Sequence, residues 1–474
     1  MPLTTSIRGA AVLAFDGGAH HLIANGTVVF TDDAVVHAGG DYNAPVDRTI
    51  DASNCLVIPG LINLHSHGGI EAGGRLILDC GRPDGYNSGF INYWTTRPGA
   101  VPIHLREDPD LGARHYLVEC LLHGATTVVD VGGGSAALVE AARELGVRVY
   151  TSPGFASAKY VDSTGRIEYD WDEGRGKAEL DAAVAFVREH ADGNLINGML
   201  CPHAVDTCSA ALLGAAIDAA RGLGVPVQIH AAQGLFEVGE MMRRTQHTPI
   251  GWLESEGLLG PDLILGHAIF MDHHPLVAAQ GRSDLANVAA AGSPVAHNPL
   301  VFARRGWALH SFQRYIDAGV TVGIGTDTCP RNLIDEMRWA SYVCKLVEGD
   351  LTAGQPADVF NAATLQAAKA LRRPDLGRLA PGSKADIVAM RLDRTGIGPV
   401  LDPVKSLVHY GGEYPAEYVI VNGRTVVAGG AVIGVDEVAL MKEVQTLGER
   451  LWGETPEWDP RGRAAGDLCP PAFP

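Results

Sequence analysis

Cysteine is scarce in this chain. There are eight in 474 residues, none in a Cys-x-x-Cys pair, and most sit inside apolar segments such as Leu117 to Leu122. That usage excludes a disulfide framework and reads as reduced, buried thiols. Local clusters of Lys and Arg are also lacking. The formal net charge of −18 repels phosphate backbones and anionic bilayers, so neither nucleic acid nor membrane is expected as a partner. No apolar run is long enough to span a bilayer, because Asp218 and Arg221 interrupt the best candidate around Leu212 to Val225. Met1 to Ala10 has no basic stretch followed by an apolar run, as a secretory signal needs. A soluble, cytoplasmic protein is expected.

The chain is 46% hydrophobic and holds 58 glycines, enough to bury a large core with many tight turns. From Val57 to about Thr326, short β-rich runs alternate with alanine-rich amphipathic stretches, the pattern of repeated βα units around a parallel sheet. Eight such runs stand out: Leu56 to His67, Ala125 to Val131, Arg148 to Ser152, Leu195 to His203, Val225 to Ala231, Leu263 to Ile269, Ser293 to Asn298 and Val320 to Asp327. Helical periodicity marks Leu180 to His190, Ala210 to Arg221 and Ser311 to Ala318 between them. The fold class predicted is α/β, a (β/α)8 TIM barrel over residues 56–377. The flanks, 1–55 and 378–432, are short alternating segments with turn residues, among them the hairpin signal Asn422-Gly423. Each is too short for a sheet of its own, so the two are expected to pair into one small β-sandwich. Residues 433–474 form a C-terminal helix and a tail that is loose or packed on a partner. A homo-oligomer is expected.

Several candidate strands end in a polar residue, where a barrel of this kind places its active site. In Pro59-Gly-Leu-Ile-Asn-Leu-His65-Ser-His67 two histidines stand two apart on a strand and so face one side. His230 closes the fifth run, His267 the sixth and Asp327 the eighth. Singly, His230 or His267 reads as a strand cap satisfied by hydrogen bonds. Together, four histidines and an aspartate at the ends of one barrel's strands point to a metal site. Histidines with a carboxylate suit Zn2+, with Fe2+, Co2+ or Mn2+ as alternatives.

These motifs, with Gly323-Ile-Gly-Thr-Asp327, Asn361-Ala-Ala-Thr364 and Leu379-Ala-Pro-Gly-Ser-Lys-Ala-Asp386, resemble the amidohydrolase superfamily over nearly the whole chain. The closer resemblance is to the chlorohydrolase and cytosine-deaminase-like branch with one metal, since His203, and no lysine, ends the fourth strand. The resemblance implies that His65, His67, His230 and Asp327 hold one divalent metal per chain. It also implies that His267 orients the attacking water and that Asp327 takes part in catalysis. Deaminases of this branch carry a glutamate three residues after the fifth-strand histidine, and this chain reads His230-Ala-Ala-Gln233. Glutamine shuttles no protons. The resulting expectation is hydrolysis of an amide, carbamate or urea C–N bond in a small aromatic or apolar substrate, with phenylurea and molinate hydrolases as the nearest likeness. Two alternatives stay open: a deaminase or dechlorinating hydrolase of a purine, pyrimidine or triazine ring, and a non-catalytic scaffold.

His203, Gln233 and His297 are candidate substrate contacts, with a structural role as the alternative for the two histidines. Tyr93 and Trp94, close to Tyr86 and Phe90 in the loop after the first strand, either line the pocket as a lid or pack that loop onto the barrel. Cys329 lies near the metal but has no base paired with it, so no nucleophile is assigned.

Overall fold

The computed structural model describes residues 3–69, 71–78, 100–101, 103–162, 167–277 and 283–473. All eight predicted strand positions carry strands. Leu61–Ser66, Ala125–Asp130, Arg148–Thr151 and Ile196–Gly198 form one four-stranded parallel sheet. Val227–Ala231, Leu263–His267, Val295–His297 and Val322–Ile324 form a second. Parallel bridges join the two sheets on both sides, Ser66 to Asp327 on one and Leu200 to Val227 and Ala204 to His230 on the other. The first side is further tied by the Asn63 amide, which donates to Thr326 Oγ1 (2.9 Å) and accepts from the Thr326 N–H (3.0 Å). That pair explains the asparagine in the Pro-Gly-Leu-Ile-Asn motif. Ile62, Leu64, Val129, Tyr150, Ile264 and Ala296, drawn from five strands across both sheets, meet Met199 in one buried cluster.

Helices follow the strands with the expected caps. Asp172 accepts from the Arg175 N–H at the start of Glu173–His190, and Ser209 from the Leu212 N–H at the start of Ala210–Leu223; each satisfies a donor that the first turn leaves open.

The flanks correct one expectation. The predicted first strand, Leu56 to His67, breaks at Gly60: Arg48–Pro59 runs in the flank sheet, and Leu61–Ser66 starts the parallel one. A side chain at position 60 would run into Thr126, and the Gly60 N–H is drawn to the Asp386 carbonyl at 2.9 Å. The two flanks do pair. They form one continuous nine-stranded sheet, with Ile7, Val28, Phe30, Val57, Ile387 and Ile420 of its strands packed in a buried cluster of its own. Long strands Thr4–Asp16 and Arg48–Pro59 cross the whole assembly, so a single hydrogen-bonded path joins both termini. Asn422 and Gly423 link Tyr418–Val421 to Arg424–Ala428 with φ of 50° and 79°, the left-handed pair that a tight hairpin turn requires.

The flank sheet is locked to the parallel sheets by a buried ion pair. Arg148 on the third strand is fully buried and pairs with Asp386. The guanidinium also donates to Asn194 O at 3.1 Å, and Asp386 accepts from the Asn422 N–H at 2.8 Å. Arg148→Met would strand the Asp386 carboxylate in the interior, so an unfolding free energy lower by about 3–5 kcal/mol is expected in urea titration. A double variant with Asp386→Leu should recover part of that loss.

Candidate metal centre

The carboxyl ends of four strands bring His65, His67, His230, His267 and Asp327 together. Their backbones turn sharply there: His267 and Asp327 have φ of 73° and 59°, a left-handed conformation costing a non-glycine residue about 1–2 kcal/mol. Such strain persists where surrounding structure enforces it, and it gathers at active sites. Two backbone hydrogen bonds hold Asp327 against the histidine pair, His67 N–H to Asp327 O (2.8 Å) and Asp327 N–H to His65 O (2.9 Å). Gly325 permits that approach, because a Cβ there would stand 2.5 Å from the His65 backbone.

The outward nitrogens of three rings are occupied. His65 Nδ1 donates to Gln228 Oε1, whose orientation is fixed because Gln228 Nε2 donates to Leu64 O at 3.0 Å. His67 Nδ1 donates to Val131 O (2.8 Å) and His230 Nδ1 to His203 O (2.5 Å). Each Nε2 therefore turns a lone pair inward. His67 Nε2 and His230 Nε2 face each other at 3.1 Å. Two lone pairs at that distance repel unless a cation lies between them, and ligands about 2.0–2.1 Å from a tetrahedral zinc stand about 3.3 Å apart. His65 Nε2, both nitrogens of His267 and both carboxylate oxygens of Asp327 are buried without a hydrogen-bond partner. The donor set fits a divalent metal.

Ligand atoms fall into two overlapping groups, His65 with His230 and His267, and His65 with His67 and Asp327, each mutually within 4.8 Å. His267 thus stands within ligand reach, nearer the centre than a purely water-orienting role requires. Burial pushes the histidines toward the neutral form that ligation needs: His230 down to about 4, and His65, His67 and His267 well below their ordinary value. Burial likewise pushes the Asp327 carboxyl up to about 7; a bound cation acts in the opposite sense and favours the carboxylate.

A cavity of about 800 Å3 opens onto His67 and His230, a size suited to a small organic molecule. Its walls include the glycine run 132–134, Phe155, Tyr160 and Phe236, and of the predicted substrate contacts His203 and Gln233 line it. His297 does not. Its ring is buried and stacked on Phe312 at 6.1 Å. Tyr93 and Trp94, with Tyr86 and Phe90, lie outside the described residues. Glu237 does not replace the missing acid, because both its oxygens are held by the Ala232 and Gln233 N–H groups at 2.8 Å. It shapes the turn that carries Gln233.

Sequence reasoning missed Gln228, although a residue two before His230 on a strand shares its face. It also missed Asp130, whose carboxyl accepts from the Gly68 N–H (2.8 Å) and Thr151 Oγ1 (2.7 Å) and so braces the turn after His67. Gln228→Leu should keep the fold and lower metal affinity about 10- to 100-fold, measured by competition with a chelator.

The sequence model of the amidohydrolase family matches residues 56–426. The chain belongs to that family. Among curated relatives, a 5-methylthioadenosine/S-adenosylhomocysteine deaminase of Natronomonas pharaonis is 31% identical over 413 residues, covering 86% of this chain and 89% of the relative. A 5′-deoxyadenosine deaminase of Methanosarcina acetivorans is 27% identical, covering 94% and 98%. A zinc- and atraton-bound variant of the atrazine chlorohydrolase of Arthrobacter aurescens TC1 is 25% identical with a TM-score of 0.79, covering 94% and 100%. A zinc-bound adenosine deaminase of Xanthomonas campestris shares the fold at 20% identity and a TM-score of 0.78, covering 95% and 98%. These relatives are named for ring chemistry and none for phenylurea or thiocarbamate hydrolysis, so the narrower likeness drawn from the sequence is not supported. The amidohydrolase is a metal-dependent hydrolase, and the scaffold alternative falls with the intact donor set.

Proposed function

We propose that this amidohydrolase is an aminohydrolase that removes an exocyclic amino group from a flat nitrogen heterocycle of the purine type. The observation that carries the reading is the set of inward nitrogens of His65, His67 and His230 beside Asp327, at the end of a cavity walled by glycine and aromatic residues. The deaminase relatives support it. We read the two bridged sheets as one closed (β/α)8 barrel spanning 56–377, with 1–55 and 378–432 as the flank domain and 433–474 as the tail. His65, His67, His230 and Asp327 are assigned as ligands and Zn2+ as the metal. When bound, the metal acidifies a water and polarises the atom under attack. Asp327 takes the protons of the attacking water at a carboxylate oxygen and passes one to the ring nitrogen and one to the leaving nitrogen, His267 holds the water's orientation, and His203 and Gln233 bind the ring.

Gln233 favours a second reading. Its amide can donate a hydrogen bond to a ring nitrogen but cannot give up a proton, whereas cleavage of a urea, carbamate or anilide needs only the single proton that Asp327 delivers. The test is a panel of adenosine, 5′-methylthioadenosine, phenylureas, carbamates and anilides on the zinc-loaded protein, scored separately for ammonia and for amine. Ammonia from the nucleosides is expected. Amine from the acyl compounds with no ammonia from the nucleosides would replace the first reading with the second.

A further inference from the structure

A two-stranded hairpin, Ala158–Asp162 paired with Ile167–Trp171, stands between the third strand and the helix Glu173–His190. Two strands alone are marginal in water, so something must fix them. Asp206, three residues past His203 and fully buried, accepts from Tyr160 Oη at 3.0 Å and from Tyr169 Oη at 2.7 Å. Those tyrosines are direct cross-strand partners. On the outer side Arg244 stacks over Trp171 at 4.7 Å and donates to the Asp206 carbonyl at 3.0 Å. The inward result is that Tyr160 lines the cavity, with its ring edge-on to His203 at 5.6 Å and to Phe236 at 6.1 Å. None of this takes part in the chemistry assigned above, and a buried carboxylate spent on two phenols is a costly way to hold an ornamental hairpin.

We propose that the hairpin is the substrate-recognising wall of the cavity, that Tyr160 is the residue selecting a flat aromatic ring, and that Asp206 is the positioning residue that sets it. The inference rests on the cavity being the substrate site, as the proposed function has it. An aromatic face presented at right angles to His203 and Phe236 favours a planar ring over a branched aliphatic group of equal volume.

Asp206→Ala and Tyr160→Leu are compared with wild type in the metal-loaded protein, with adenosine and phenylurea as binding probes in calorimetry and KM and kcat taken on whichever is turned over. Both variants should keep their metal, raise Kd and KM at least tenfold, and lower kcat less than threefold. Asp206→Asn, which keeps one acceptor oxygen, should fall between Asp206→Ala and wild type. Hydrogen exchange in 158–162 should quicken in Asp206→Ala, a readout that shows the clamp released even if that variant loses activity for other reasons. Unchanged Kd in Tyr160→Leu, or a wild-type protein that binds neither probe, overturns the proposal. A wild type that binds and cleaves phenylurea but not adenosine overturns the aminohydrolase reading and leaves this one standing.

Discussion

His65→Ala and Asp327→Ala should each abolish turnover and leave the purified protein nearly free of metal, where wild type should carry one divalent ion per chain. His65 belongs to both ligand groups, and its ring lies 5.1 Å from those of His67 and His230 and 4.6 Å from that of His267. Removing it takes away the shared ligand and leaves Gln228 Oε1 without its donor. Asp327 supplies the negative charge among the candidate ligands, and both its oxygens are buried without a hydrogen-bond partner. The loss of affinity should exceed the roughly 10- to 100-fold typical of an outer-shell partner. Elemental analysis beside activity decides the matter: full occupancy in either variant, or two ions per wild-type chain, contradicts the assignment. His267→Asn separates the remaining roles. Turnover about 10²- to 10⁴-fold lower with metal retained marks a water-orienting group, and loss of metal makes His267 a ligand, as its distance to His65 and His230 allows.

Strand positions and the histidine-rich ends were legible because each buried parallel strand is a short apolar run closed by one polar residue, a pattern that survives without tertiary information. The break at Gly60 was not legible. Leu56 to His67 is apolar on both sides of it, and only the closeness of Thr126 and the Asp386 carbonyl divides the run between two sheets. The hairpin at Ala158–Trp171 escaped for a related reason: its alternation is polar, its buried member Tyr160 is satisfied by Asp206 from 46 residues away, and no local signal announces such a pair. Gln228 and Glu237 were readable as positions but not as roles. A glutamine inside a strand and a glutamate at a helix start have ordinary explanations, and their function lies in which nitrogen they meet.

Gln233→Glu should raise ammonia release from an adenosine-type substrate, by as much as the roughly 10²- to 10⁴-fold that a well-placed general acid contributes, while leaving cleavage of ureas, carbamates and anilides unchanged or lower. Gln233 lines the cavity and is only 7% exposed, so a carboxyl there would be desolvated and its pKa raised, as burial already does to Glu237. A carboxyl held partly protonated can give its proton to a ring nitrogen as the attacking water adds, a step that the amide of wild type assists only by hydrogen bonding. Acyl cleavage has no ring nitrogen to protonate, and a new negative charge beside the carbonyl under attack opposes the charge that develops there. The turn would tolerate the change, because Glu237 grips the backbone N–H of residue 233 and not its side chain. Opposite responses of the two activities in one variant, measured on the same preparation with equal metal content, cannot come from a general loss of stability. A fall in ammonia release would mean that Gln233 serves as a neutral donor to the substrate, and that wild type already moves every proton of its reaction through Asp327.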